Sequence, residues 1–236
     1  MITNLPIFRQ AARAHLDEIV RHARAEPVAR GAAICRRGER VEGLFALAYG
    51  LLKLTLRGDA GDEKVLRLVG PGETFGEAVV FLDRPCPVDA IALSDSMVVI
   101  VPAAPLFALI ERDPRFARGM IASLSQRMHA LVADVESSAL RSGVQRVAAY
   151  LDSLAEPGIT QAKVRLPATK TVIAARIGVT KETFSRLLRE LADQGFVSVS
   201  KRDIVLLDRE RLAALVRGGA GPGRNSRPPK GDRRAH

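Results

Sequence analysis

Residues 174–191 read AARIGVTKETFSRLLREL, and the spacing inside this stretch decides the fold. Gly178 comes four positions after Ala174, and Phe184 and Leu187 follow six and nine positions later. That is the spacing of two short helices joined by a tight turn. A small residue lets the two helices cross closely, and a glycine takes the left-handed backbone of the turn. Phe184, Leu187, Leu188 and Leu191 form the apolar side of the second helix. Thr180 stands where it can cap that helix. The other side presents Thr180, Lys181, Glu182, Ser185, Arg186 and Arg189. Downstream, FVSVSKRDIVLLD at 196–208 reads as a hairpin with Lys201 and Arg202 at its tip. Helix, glycine turn, helix and hairpin together make a winged helix-turn-helix.

Such a second helix places its N-terminal residues in the major groove of a duplex. Arg186 can donate twice to guanine O6 and N7, Glu182 can accept from a cytosine amino group, and Ser185 can reach a base edge. Thr180, Lys181, Thr183 and Arg189, with Lys201 and Arg202 of the wing, are the phosphate candidates. A glutamate on a phosphate-facing surface is repelled by it, so Glu182 is better explained by base reading than by general affinity. The plainer alternative is a surface pair of Glu182 and Arg186, four apart, worth about 0.3–0.5 kcal/mol.

Charge agrees with a polyanionic partner. The chain has 236 residues and a net charge of +10. Its last eighteen residues, GAGPGRNSRPPKGDRRAH, are rich in Gly, Pro and Arg and are expected to be a disordered basic tail. No run of about 18 apolar residues exists to span a membrane. The N-terminus MITNLPIFRQ lacks the charged-then-apolar order of a secretory signal. These features suggest a cytoplasmic protein. Two cysteines, Cys35 and Cys86, make no disulfide framework and cannot supply an iron–sulfur cluster.

Upstream of the helix-turn-helix the texture changes twice. Residues 1–26 show a helical period that Pro27 ends. From Val28 to Val101, short apolar runs (LFALAYG, LLKLTL, KVLRLV, SMVVIV) are punctuated by glycines, the mark of an antiparallel barrel or sandwich. RGDAGD at 57–62 reads as a hairpin turn. After Asp113-Pro114 a long helix runs to about Ser142. Ile121, Leu124, Met128, Leu131, Val135 and Ser138 alternate by three and four along it, as in a two-helix dimer seam. A helix buried against its own domain gives the same pattern. Gly143 interrupts this helix, and a further amphipathic helix follows. The expected fold is α+β: an antiparallel β-roll sensor with an N-terminal helix at 1–112, a dimerisation helix at 113–142, a winged helix-turn-helix at 143–218 and the tail at 219–236.

With that order of parts, the chain resembles the Crp/Fnr family of bacterial transcription regulators over about residues 5–216. The blocks that carry the resemblance are ICRRGERVEGLFALAYGLLKL and GPGETFGEAVVFLDRP in the roll, and KETFSRLLRELADQGFV in the DNA-binding domain. The resemblance implies a homodimeric, cyclic-nucleotide-binding-like regulator that binds double-stranded DNA and recruits RNA polymerase. Glu182, Ser185 and Arg186 look like the Fnr-type reading helix, which implies an inverted repeat of TTGAT half-sites. The cAMP-binding members keep the Gly-Glu seen here as Gly76-Glu77. They also carry an Arg-Ser pair where this chain has Pro87-Val88 beside Asp89. Their adenine-facing hydroxyl pair corresponds to Leu131-Val132. No cAMP binding is therefore expected, since a buried phosphodiester without a cation is costly.

The oxygen-sensing members bear an N-terminal cysteine cluster, and no cysteine precedes Cys35. FGEAVVFLDRP, RVAAYLDSLA, ETFSR and LDRERL look most like the Dnr/NnrR branch. That likeness implies nitric oxide as effector, haem as cofactor, denitrification genes as targets, and an apolar pocket including Leu131 and Val132. His15 is the candidate axial ligand. His15 and His22 lie seven residues apart on one helix, about 10.5 Å, too far to share a metal. Cys35 and Cys86 stay open as redox alternatives, and the metal question is unknown. Two rivals from other classes are weaker. A cupin-type enzyme needs histidines between His22 and His129, and there are none, so no catalytic residue is assigned. A ligand-binding module acting on a partner protein leaves the helix-turn-helix unexplained.

Overall fold

The computed structural model describes residues 8, 13–59, 61–159 and 161–218, without the side chains of 13–15. The expectations for the tail at 219–236 and for the His15 side chain fall outside the described residues. The chain forms two compact units. The first takes residues up to 140 together with 167–184, and the second takes 141–166 together with 185 onward.

The first unit opens with α1 (Arg13–His22) and β1 (Arg24–Val28). The expected helix through residue 26 stops early because 24–28 pair with β8 (Ser96–Pro102) at a sheet edge, where Pro27 costs no ladder bond. The remaining strands are β2 (Ala33–Cys35), β3 (Gly43–Tyr49), β4 (Leu52–Arg57), β5 (Glu63–Val69), β6 (Thr74–Phe75) and β7 (Asp89–Ala92), with α2 (Glu77–Leu82) before β7. They form two four-stranded antiparallel sheets, ordered β1-β8-β3-β6 and β2-β7-β4-β5. The 58–62 turn joins β4 to β5 as a hairpin, with Gly58 N–H donating to the Asp62 carbonyl.

The runs LFALA and VVIV are continuously apolar because the β3–β8 pair is covered on both faces. Leu44, Ala46, Val99 and Val101 join α1, α3 (Ala103–Arg112) and the start of α4 (Pro114–Leu140) in one core. The alternate residues Phe45, Leu47, Val98 and Ile100 fill the space between the sheets with Leu52, Val69, Phe75, Ala90, Cys35 and Cys86. Phe45 and Phe75 stack at 4.8 Å, as do Phe8 and Phe116 at 5.5 Å. Gly43 is required by close approach, since a Cβ there would lie 2.0 Å from the Val101 carbonyl oxygen. α3 begins after Pro102, and Asp113 starts α4 by accepting from the N–H groups of Arg115 and Phe116.

The long helix ends at Leu140. The interruption sits at Arg141–Ser142 rather than at Gly143, which is the first residue of α5 (Gly143–Ser153). Ser142 and Gln145 form a capping box there, so a hydroxyl N-cap, not the glycine, sets the break. The second unit continues with β9 (Ala162–Arg165). After α6 (Lys170–Ile177) and α7 (Lys181–Asp193) come β10 (Val197–Ser200), β11 (Asp203–Leu206) and α8 (Arg209–Val216). The three strands form a sheet ordered β10-β11-β9. α5 and α8 are tied by Arg209, whose Nε lies 2.5 Å from Asp152 Oδ1. The same guanidinium donates to the carbonyls of Glu156 and Ile159. Among the described residues no helix is long and apolar enough to cross a membrane.

Candidate nucleic-acid interface

α6 starts at the Thr169 cap and ends at Gly178, which has φ 71° and ψ 44° and donates to the Ala174 carbonyl. A side chain in that left-handed backbone would be strained, and this fixes glycine at the turn. Thr180 then accepts from Thr183 N–H at 3.2 Å, capping α7 as its sequence position suggested. α7 is strongly two-sided. Phe184, Leu187, Leu188 and Leu191 are buried, while Lys181, Glu182, Arg186 and Arg189 are exposed and Thr183 and Ser185 are half-buried.

Because these residues share one helix, the spacing of four between Glu182 and Arg186 sets both on the same face, one turn apart. Arg186 does not pair with Glu182. Its Nη1 lies 3.9 Å from Glu190 Oε2, a loose and exposed contact. Among the described residues Glu182 makes no ion pair. The polar ends of both side chains are therefore presented to solvent rather than spent on each other.

The wing is the β10–β11 hairpin, with Lys201 and Arg202 at its tip. Lys201 is exposed and has φ 56°, one of two described non-glycine residues with positive φ. Arg202 differs from the sequence expectation in one respect. Its Nε and Nη2 both donate to the Leu166 carbonyl, at 3.1 and 2.7 Å, so two of its five N–H groups tie the wing to the end of β9. That contact is not legible in the sequence, because its partner is a main-chain oxygen 36 residues away.

On α4, Phe116 and Met120 are buried, so burial against its own unit is confined to the first two turns. Beyond them Ile121, Leu124, Met128, Leu131 and Val135 stand 37–65% exposed, with Val132 beside them. Ser138 is exposed and its hydroxyl folds back onto the carbonyls of Asp134 and Val135.

Between the roll and α4 lies a closed polar triangle that sequence reading missed. Thr74 Oγ1 donates to Glu77 Oε1 at 2.5 Å, Arg127 Nη2 donates to Thr74 Oγ1 at 2.6 Å, and Arg127 Nη1 pairs with Glu77 Oε1. Glu77 is 4% exposed. An arginine one residue before Met128 of the apolar stripe was the available signal, but the stripe drew attention to its apolar members. At the site where the cAMP-binding members keep Arg-Ser, Asp89 accepts from the Arg37 N–H and lies 3.9 Å from Arg57 Nε.

The candidate cofactor ligands are scattered. His22 Nδ1 sits 2.9 Å from the Glu18 carbonyl on the surface, and His129 is exposed on α4. Leu131 and Val132 belong to the exposed stripe. Cys35 and Cys86 are buried in the roll, and burial pushes both thiols above their ordinary range. No described histidine or cysteine side chain therefore fits a haem slot as an axial ligand. Among the described residues no group of three or more His, Cys, Asp and Glu could hold a metal ion.

Residues 25–113 match the model of the cyclic nucleotide-binding domain, and 145–215 match that of the Crp-like helix-turn-helix domain. Among similar proteins is the cyclic AMP receptor protein of Thermus thermophilus. It is 27% identical over 209 residues, 86% of this chain and 95% of its own length. The transcriptional activator protein anr of Pseudomonas aeruginosa is 27% identical over 207 residues, 86% of this chain and 84% of its own. A solved transcriptional regulator of the CRP/FNR family from T. thermophilus superposes with a TM-score of 0.65 at 28% identity, covering 82% of this chain and 98% of its own. FixK2 of Bradyrhizobium japonicum, at 23% identity and TM-score 0.71 over 82% of this chain and 96% of its own, shows the fold alone. The order of roll, long helix and winged helix-turn-helix, with both family models matched in that order, shows that the chain belongs to the Crp/Fnr family of DNA-binding transcription regulators.

Proposed function

We propose that the chain acts as a homodimer that reads an inverted repeat of TTGAT-type half-sites and recruits RNA polymerase, under an effector other than cAMP. One observation carries the reading. α7 is capped, has its apolar side buried, and presents Glu182 and Arg186 on one exposed face, Arg186 held only by a loose contact with Glu190. A guanidinium donating to guanine and a carboxylate accepting from cytosine, on one face, suit the single G·C pair of a TTGAT half-site. The exposed stripe on α4 supports self-association, since contiguous apolar surface of that kind marks an interface. A two-fold dimer would present two reading helices about 34 Å apart.

The effector reading follows from the sensor. The Glu77 carboxylate is already taken by Arg127 and Thr74, and Asp89 stands beside Pro87-Val88, where a cyclic phosphate would need a cation. cAMP therefore gains little and must displace a buried ion pair. Nitric oxide through haem, with denitrification genes as targets, is what the likeness to the Dnr/NnrR branch implies. The described side chains give haem no axial ligand.

The test is selection of bound duplex by the full-length protein, followed by gel shifts on the selected site. An inverted TTGAT repeat should be enriched over random duplex. Arg186→Ala should cost about 1–3 kcal/mol per half-site and relax the guanine position. An unchanged footprint and affinity for Arg186→Ala would end the assignment. Calorimetric binding of cAMP at micromolar concentration would end the effector reading alone.

A further inference from the structure

α6 is fastened within the first unit by more than its packing on β5. The Lys64 ammonium, on β5, donates at 3.0 Å to the carbonyl of Arg176, in the last turn of α6. A cation there meets a carbonyl that the helix itself leaves without a partner, and it faces the negative end of the helix dipole. The Arg176 side chain reaches another element. Its Nη2 lies 2.7 Å from Asp134 Oδ2 on α4. These side chains are 23% and 38% exposed, so the contact is sheltered on the arginine side. A strand, the long helix and α6, remote in sequence, thus converge on one residue of α6.

What α6 does, α7 must follow. Three residues separate Ile177 from Lys181, and all three are constrained. Gly178 and Val179 both donate to the Ala174 carbonyl, and Thr180 caps the next helix. The turn has no slack with which the first turn of α7 could drift. With Lys64 and Asp134 engaged, Lys181 and Glu182 are exposed. The fastened arrangement is therefore compatible with reading and not masked against it.

We propose that Lys64 and Asp134 are positioning residues for DNA recognition, holding α6, and through the 178–180 turn the start of α7, with the polar face outward. This rests on the base-reading role of α7 proposed above. Neither residue contacts nucleic acid in this account.

Asp134→Asn gives a test in which the two explanations have opposite signs. Removing a negative charge from a protein that binds a polyanion should tighten binding if only long-range charge matters. Loss of positioning should weaken it, by roughly tenfold, the ratio for one charge-assisted hydrogen bond. Lys64→Met is the second variant. It should also weaken binding by roughly tenfold while leaving the slope of log affinity against log salt unchanged, because a phosphate contact would lower that slope by about 0.9. Both are measured by fluorescence anisotropy on the selected palindrome with full-length protein. Duplex selection should return the same preferred bases for each variant. Thermal melting confirms that each is folded. Equal or tighter binding by Asp134→Asn, or a lowered salt slope for Lys64→Met, would overturn the proposal. A wild-type protein that cannot tell the palindrome from random duplex would instead remove the base-reading role itself.

Discussion

Arg127→Met isolates the polar triangle between the roll and α4. Methionine keeps an unbranched stem of similar length, so little packing is lost and the guanidinium alone disappears. What remains is a Glu77 carboxylate whose side chain is 6% exposed, with Thr74 as its one remaining side-chain donor. Breaking a buried ion pair from one side costs about 3–5 kcal/mol, because the stranded charge keeps its desolvation penalty. Arg127 itself is 24% exposed, which places the estimate at the lower end of that range. In a chain of this length each kcal/mol moves the melting midpoint by about 2–4 °C, so a fall of roughly 10 °C is expected. Far-UV circular dichroism through a urea titration reads the free energy directly, and the denaturant slope should not change. Adding Glu77→Gln to Arg127→Met removes the stranded charge but keeps an amide that can accept from Thr74, so more than half of the loss should return. A single variant within about 1 kcal/mol of wild type, or a double variant no better than the single, would show that the triangle is solvated and not buried.

Other consequences can be read from single residues. Lys201→Gly should hold or raise the melting temperature, because glycine relieves the positive φ by up to about 1 kcal/mol, while lowering affinity for all duplexes alike. Alanine would confound the two effects. Arg209→Leu should cost the second unit about 2–4 kcal/mol in denaturant unfolding, since it releases Asp152 and the carbonyls of Glu156 and Ile159 together. The two thiols give a pH signature. Burial raises them in the folded state, so the unfolded chain ionises first, and stability is full below about pH 8.5 and declines above it. The decline approaches 1.4 kcal/mol per pH unit for Cys35, with Cys86 adding in the same direction, and Cys35→Val with Cys86→Ala should flatten it in urea titrations between pH 8 and 10.

The winged helix-turn-helix was legible because its signals are local. Gly178, Thr180 and the apolar period of 184–191 act within one or two turns, and each took the role its spacing implied. The strands were legible as apolar runs between glycines. Which faces they bury was not, since LFALA and VVIV lack alternation when both faces are covered. The extension of the first helix to residue 26 failed because β1 forms by pairing with residues 68 to 76 positions away. The long-range polar contacts are invisible for the same reason. Arg127 with Glu77, Arg176 with Asp134, Arg202 with Leu166 and Arg209 with Asp152 each join residues 36 or more apart, and an arginine in sequence looks the same whether it will face phosphate or a carbonyl. Arg202, a phosphate candidate by its place at the wing tip, also donates to a carbonyl.

On the proposed reading, the stripe on α4 and the face of α7 are one requirement. A good side-chain pairing with the right base discriminates by about 1–3 kcal/mol, so Arg186 and Glu182 together supply about 2–6 kcal/mol in one half-site. Specific regulators exceed their own non-specific binding by about 4–10 kcal/mol. One reading helix reaches no further than the lower third of that range, and two on a palindrome, at about 4–12 kcal/mol, span it. Ser185 cannot close the gap alone, being half-buried and a single donor. Lys181, Arg189 and Lys201 add affinity for every sequence equally and leave the ratio unchanged. Selectivity must then come from doubling, and the exposed residues from Ile121 to Val135 are where the chain can double. A charged substitution in that stripe, such as Leu131→Glu, should leave each reading helix intact and still erase the preference for the palindrome, with non-specific binding retained. Sedimentation would show a monomer. A monomeric variant that kept the full preference would mean that one helix reads more than the exposed side chains of α7 can supply.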